Sequence, residues 1–152
     1  MLKRGFTSAC LFLTVATMSL PRARSQQGDE VPAYHAAPPA KDAKLPAILG
    51  RDQLGIDEAP EAVQTHAYEL AAKIPEVLHQ QPCYCYCDRS MGHKSLHSCF
   101  EGTHGARCST CLKELYYSYS MHEKGKTAAQ IRQGILRGEW KQVDLKTAAS
   151  IN

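Results

Sequence analysis

Apolar residues recur at helical spacing in three stretches of this 152-residue chain. In the first, Val63, Ala67, Leu70, Ala71 and Ile74 fall at i, i+4, i+7, i+8 and i+11, one face of a helix. Asp57 stands ahead of them as an N-cap, with Glu58 and Glu61 in the first turn and Pro60 tolerated there. Pro75 should end or kink this helix, leaving room for one more turn over 76–79. The second stretch, 106–123, places Leu112, Leu115, Tyr116 and Tyr119 on one stripe, and Gly125 is positioned to cap it. The third opens with Thr127 and Gln130, the two ends of a capping box. There Ile131 and Ile135 face inward with Leu136 beside them, Gly138 stops the helix, and Trp140 packs back on the core. The last ten residues read as fraying.

Between the first two helices the periodicity is lost. Residues 82–105, with Gly92, Gly102 and Gly105, read as a structured loop with a helical turn over 95–100. Residues 26–56, with Pro32, Pro38, Pro39 and Pro46 among many alanines, read as a flexible linker, although 45–54 carries apolar residues able to dock. The predicted fold is all-α, a small three- to four-helix domain over 57–143 with a Cys/His-rich loop. A flexible tail, 144–152, follows it. A core of about 90 residues is marginal alone, which is a structural reason for staples or a metal.

The N-terminus predicts export. Lys3 and Arg4 precede a nearly uncharged apolar run over 5–20, and Ala23-Arg24-Ser25 offers small residues for cleavage before Gln26, giving a signal peptide of 1–25. The run is too short for a comfortable spanning helix. Cys10 lies inside it and is not placed for lipidation, so the expected product is periplasmic or secreted, with no stable membrane anchor after cleavage. Of 18 basic and 15 acidic side chains, Lys3, Arg4, Arg22 and Arg24 would leave with the signal, so the net charge changes from +3 to −1. That removes the basic balance that would argue for nucleic acid. Seven cysteines become six, an even number in an oxidising compartment, where disulfides are the default.

Those six carry the chemistry. Cys83, Cys85 and Cys87 alternate, Cys99 follows, and Cys108 and Cys111 form a C-x2-C pair at the start of the second helix. His93, His97 and His104 are interleaved with them. In an extended segment the trio would share one face, with neighbouring Cα atoms about 6.6 Å apart, near the upper limit for a disulfide. Internal pairing is therefore disfavoured, and the three sulfurs should meet Cys99, Cys108 and Cys111. Three thiolates on one side can equally converge on a soft cation. A helix N-terminus lowers the thiol pKa values of the C-x2-C pair, which suits a metal thiolate and a redox nucleophile alike. Each of the three histidines could add a borderline nitrogen ligand or simply sit in a polar loop. Tyr84 and Tyr86 read as packing residues, Met91 as a weak soft ligand, and His35, His66, His79 and His122 as surface residues. No Gly-rich phosphate loop, G-x-S-x-G or H-E-x-x-H is present. The spacing allows a cysteine–histidine hydrolase, but six clustered cysteines are an odd setting for a single nucleophile, so the balance leans away from an enzyme.

The run Pro82-Cys83-Tyr84-Cys85-Tyr86-Cys87 is followed by Gly92-His93-Lys94-Ser95-Leu96, Cys99-Phe100, His104-Gly105, Cys108-x2-Cys111 and Gly125-Lys126 through Ile131-Arg132. Over residues 60–137 this resembles the small exported bacterial proteins named for a PCYCGC or CYCXC motif. The resemblance implies export and redox or soft-metal chemistry, since some members resemble selenoproteins with selenocysteine at a motif position. This chain departs in having Tyr86 where the PCYCGC form has glycine, and in having no lipobox.

The leading expectation is an exported protein binding Cu(I) or zinc through Cys83, Cys85, Cys87, Cys99, Cys108 and Cys111, with His93, His97 or His104 contributing. Its partners would be the metal ion and a metal-transfer or redox protein. The alternatives are a thiol–disulfide oxidoreductase, weakened by the absence of a βαβ pattern, and a binding domain stapled by three disulfides.

Overall fold

The computed structural model describes residues 30–54 and 62–150. The signal segment with Cys10, and the Asp57 cap with Glu58, Pro60 and Glu61, lie outside the described residues. Among the described residues all regular structure is helical, in agreement with the all-α expectation. The elements are α1 (Ala62–Lys73), α2 (Pro75–His79), α3 (Cys87–Met91), α4 (Ser109–Glu123), α5 (Ala128–Leu136) and α6 (Leu145–Ala148), joined by short 3-10 turns. No described helix is long and apolar enough to cross a membrane.

The face predicted for α1 is the buried one: Val63, Ala67, Leu70, Ala71 and Ile74 all lie in the main core. Ile74 leaves helical geometry (φ −129°, ψ 41°) because Pro75 follows, and Pro75 then takes the first position of α2. The predicted extra turn is thus a separate short helix. Helix α4 is central, packing against α1, α2, α5 and α6. Its stripe of Leu112, Leu115, Tyr116 and Tyr119 is buried as predicted, but so are Cys111, Glu114, Tyr117 and Ser118. A helix enclosed on most sides hides polar residues that a one-face pattern leaves in water. Gly125 (φ +74°) follows its end, the left-handed geometry that glycine adopts without strain. Helix α5 opens with the predicted capping box, in which Thr127 Oγ1 accepts from Gln130 N–H and Gln130 Oε1 accepts from Thr127 N–H. Ile131 and Ile135 join Tyr117 and Trp140 in a second apolar cluster.

Two segments expected to be loose are held. Residues 30–54, read as a flexible linker, lie against the domain as mostly irregular chain with a turn at 41–42 and a 3-10 turn at Arg51–Gln53. Ala33 N–H donates to Asp88 Oδ2 (3.0 Å), His35 N–H to the His79 carbonyl (3.3 Å) and Leu49 N–H to the Phe100 carbonyl (2.9 Å). The His35 and His79 rings stack at 3.9 Å, Arg132 lies over the Tyr34 ring, and Leu54 is 1% exposed. Chain outside regular structure leaves amides to pair with the domain, and its prolines reduce the entropy lost on docking. At the other end, Asp144 accepts from Lys146 N–H (3.0 Å) to start α6, and Ala148 is buried in the main core. One helical turn is too short to show a period, so this docking was invisible in the pattern.

Candidate metal centre

The cysteine trio lies in the structured loop expected for residues 82–105, and it is a turn rather than an extended segment. Tyr86 N–H donates to the Cys83 carbonyl (3.1 Å), closing a tight turn, and Tyr86 itself is left-handed (φ 57°, ψ 28°). Alternation no longer applies, and Cys83 and Cys85 sulfurs meet at 3.3 Å. Cys87 then begins α3.

Three further elements bring up the other donors. A 3-10 turn, Leu96–Phe100, carries Cys99 to 3.4 Å from Cys87. A second, Gly105–Arg107, lies directly on that backbone: a Cβ on Gly105 would sit 2.8 Å from the Cys99 carbonyl oxygen and 3.0 Å from the Phe100 ring. Only a residue without a side chain allows that approach. Cys108 is the N-cap of α4, and Cys111 lies in its first turn. Cys111 reaches Cys83 at 3.5 Å and Cys85 at 3.6 Å. The expected meeting of the trio with Cys99, Cys108 and Cys111 therefore occurs, alongside a contact within the trio.

All six described cysteines are free thiols. Their contacts of 3.3–3.6 Å are far longer than a sulfur–sulfur bond of about 2.05 Å. They lie close to the edge of a tetrahedron of sulfurs around zinc, about 3.8 Å for a Zn–S length of about 2.3 Å. Two groups of four donors satisfy a compact metal geometry: Cys83, Cys85, Cys87 and Cys99, and Cys85, His104, Cys108 and Cys111. Within each group all donor atoms lie within 4.8 Å of one another. Cys83, Cys87, Cys99 and Cys111 are buried, whereas Cys85, Cys108 and His104 are half-buried.

The three histidines separate. His104 Nε2 lies 3.7 Å from Cys85 Sγ and belongs to the second group. His93 lies outside both groups, but its Nδ1 is 3.4 Å from Cys99 Sγ, where it can donate to a thiolate. His97 is buried and belongs to neither group, with Nδ1 2.9 Å from Glu101 Oε1. Met91 is 54% exposed. Tyr84 and Tyr86 are half-buried, and the Tyr84 ring stacks on Trp140 at 6.4 Å.

The electrostatics single out Cys85. Hydrogen bonds from Cys108, Cys111 and Cys83 push its thiol well down. Cys83, Cys87, Cys99 and Cys111 are pushed up, each chiefly by another sulfur: Cys111 for Cys83 and Cys99, Cys83 for Cys87, and Cys108 for Cys111. Burial, and then the adjacent His104, lowers His93, which favours the neutral ring.

One member of the site was missed in the sequence. Glu114 is fully buried on α4, and its Oε1 accepts from Tyr84 N–H (2.9 Å). Burial pushes its carboxyl up to about 8, against a smaller lowering from the Cys83 thiol. Its signal was spacing: Cys108, Cys111 and Glu114 recur every third residue, one side of a helix.

No curated protein and no solved structure matches this chain. A family model described as protein of unknown function with PCYCGC motif matches residues 42–143. That span covers the docked end of the N-terminal segment, every sulfur of the cluster and the helices that hold them, and the chain belongs to this PCYCGC-motif family.

Proposed function

We propose that this is an exported metal-binding protein whose cysteine cluster holds a soft or borderline ion, Cu(I) or zinc. The observation that carries the reading is the convergence of six unbonded cysteines and His104 into compact four-donor groups. Thiolate and imidazole are the donors such ions select, and buried thiols so close together need a cation to ionise together. The ion would clamp the Cys83–Cys87 turn and the Cys99 turn to the start of α4, so binding would also stabilise the fold. The half-buried rim of Cys85, Cys108 and His104 is the side from which a metal-transfer partner would reach the ion. The export part of the reading is supported by the basic and apolar sequence pattern of residues 1–25.

The test is to isolate the protein anaerobically from metal-replete cells and measure bound metals and free thiols together. Bound Cu(I) or zinc with six thiols protected until the metal is stripped supports the reading. Metal-free protein that ignores both added ions refutes it. Three inert disulfides in mapped peptides would assign a stapled domain instead.

A further inference from the structure

We infer that the cluster is built for two metal ions side by side, with Cys85 as the thiolate shared between them. This rests on the metal-binding reading above and extends it to the number of ions and the bond that joins them.

A structural zinc-like ion takes four donors. Six cysteines and His104 make seven, which one ion cannot use and two separate ions cannot be filled by. Two tetrahedral ions sharing one donor need seven. The two compact groups meet that condition, since Cys85 is the member common to both. Its sulfur accepts from Cys83 of the first group at 3.3 Å and from Cys111 of the second at 3.6 Å, with His104 Nε2 at 3.7 Å. The left-handed turn at Tyr86 divides the trio: Cys83 and Cys87 serve the first group alone, and Cys85 serves both. Two metal–sulfur lengths of about 2.3 Å keep ions joined by one thiolate within about 4.6 Å.

The charges are tolerable. Two divalent ions with six thiolates and a neutral imidazole leave a net charge of −2. Cys108 and Cys111 lie at the N-terminus of the 15-residue α4, whose dipole favours negative charge. His93 can donate to Cys99, the most enclosed sulfur of the first group. The sites differ in chemistry. The four-sulfur site is mostly buried, and the three-sulfur, one-nitrogen site is open at His104 and Cys108. The buried site should retain its ion longer.

Cadmium(II), a soft ion of the zinc type, is the probe. Reduced full-length protein is loaded with cadmium-113 under argon, counted by native mass spectrometry and examined by cadmium-113 NMR. The expected result is two ions per chain and two resonances that split each other through the shared sulfur. The double variant His104→Ala/Cys108→Ser should keep one ion, and Cys85→Ser should abolish the splitting. One ion, or more than two, per wild-type chain overturns the two-ion inference while metal binding stands. Two ions with unsplit signals overturn the bridge. No bound ion overturns the metal-binding reading itself.

Discussion

Tyr86 offers the sharpest test of how the backbone makes this site. It is the single non-glycine residue with positive φ among the described residues, at the position where the PCYCGC motif has glycine. Left-handed geometry costs a residue with a Cβ about 1–2 kcal/mol. Tyr86 offsets that cost through its ring, which lies 4.2 Å beneath the Arg89 guanidinium and edge-on to Tyr84 at 5.8 Å. Such contacts contribute about 0.5–1 kcal/mol each at a half-exposed site. Tyr86→Ala removes the ring and keeps the strain. Tyr86→Gly removes both, but frees the unfolded chain at a cost of about 0.4–1 kcal/mol. Glycine should therefore be more stable than alanine by about 1 kcal/mol, the reverse of the order at an ordinary position. In a domain of this size that is a difference in Tm of about 5 °C. Urea unfolding of the reduced, metal-free variants measures it, provided the m-values agree. Alanine equal to or more stable than glycine would refute the left-handed turn, and with it the account of how Cys83 and Cys85 meet.

Other consequences can be checked alongside. Gly105→Ala pushes a methyl into the Cys99 carbonyl and the Phe100 ring, and should lower stability by about 1–3 kcal/mol and weaken metal binding, measured by unfolding and by competition with a chelator. In metal-free protein Glu114 is neutral when folded up to about pH 8, whereas its unfolded carboxyl ionises from 4.5. Unfolding then releases a proton, so stability should fall as pH rises from 4.5 to 8, by a ceiling of about 5 kcal/mol. Glu114→Gln should flatten that part of the curve. Stripping the metal should lower Tm, because free metal at a thousand times Kd stabilises by about 4 kcal/mol, and calorimetry with and without chelator reads the difference.

The helices were legible because each buries a long apolar face. Val63 to Ile74, and Leu112 to Tyr119, repeat often enough for the period to emerge. Element ends written in local chemistry were also legible, such as the break at Pro75 and the capping box at Thr127. What escaped depended on contacts distant in sequence. The N-terminal segment looks solvated until Leu54 and the amides of Ala33, His35 and Leu49 find their partners. The trio was legible as part of a loop, but the form of its turn was not, because a tyrosine in left-handed geometry runs against local preference. The sulfur set was legible as a list, while its division into two groups with a common member required the turn. His97 resembles a ligand by its spacing from His93, yet it faces Glu101, four residues on within its own turn.

The stack of Tyr84 on Trp140 gives the molecule an optical readout of its own chemistry. Trp140 is the sole tryptophan in the chain and sits in the second apolar cluster, outside the core that holds the sulfurs. Tyr84 connects the two, since it lies between Cys83 and Cys85 in the chain and its ring rests against the indole. Any event that tightens or releases the Cys83–Tyr86 turn moves the surface against which the one indole emits. Its fluorescence should therefore respond to that contact, with no other tryptophan to blur the signal, and metal addition to the cluster can be followed in the unlabelled protein.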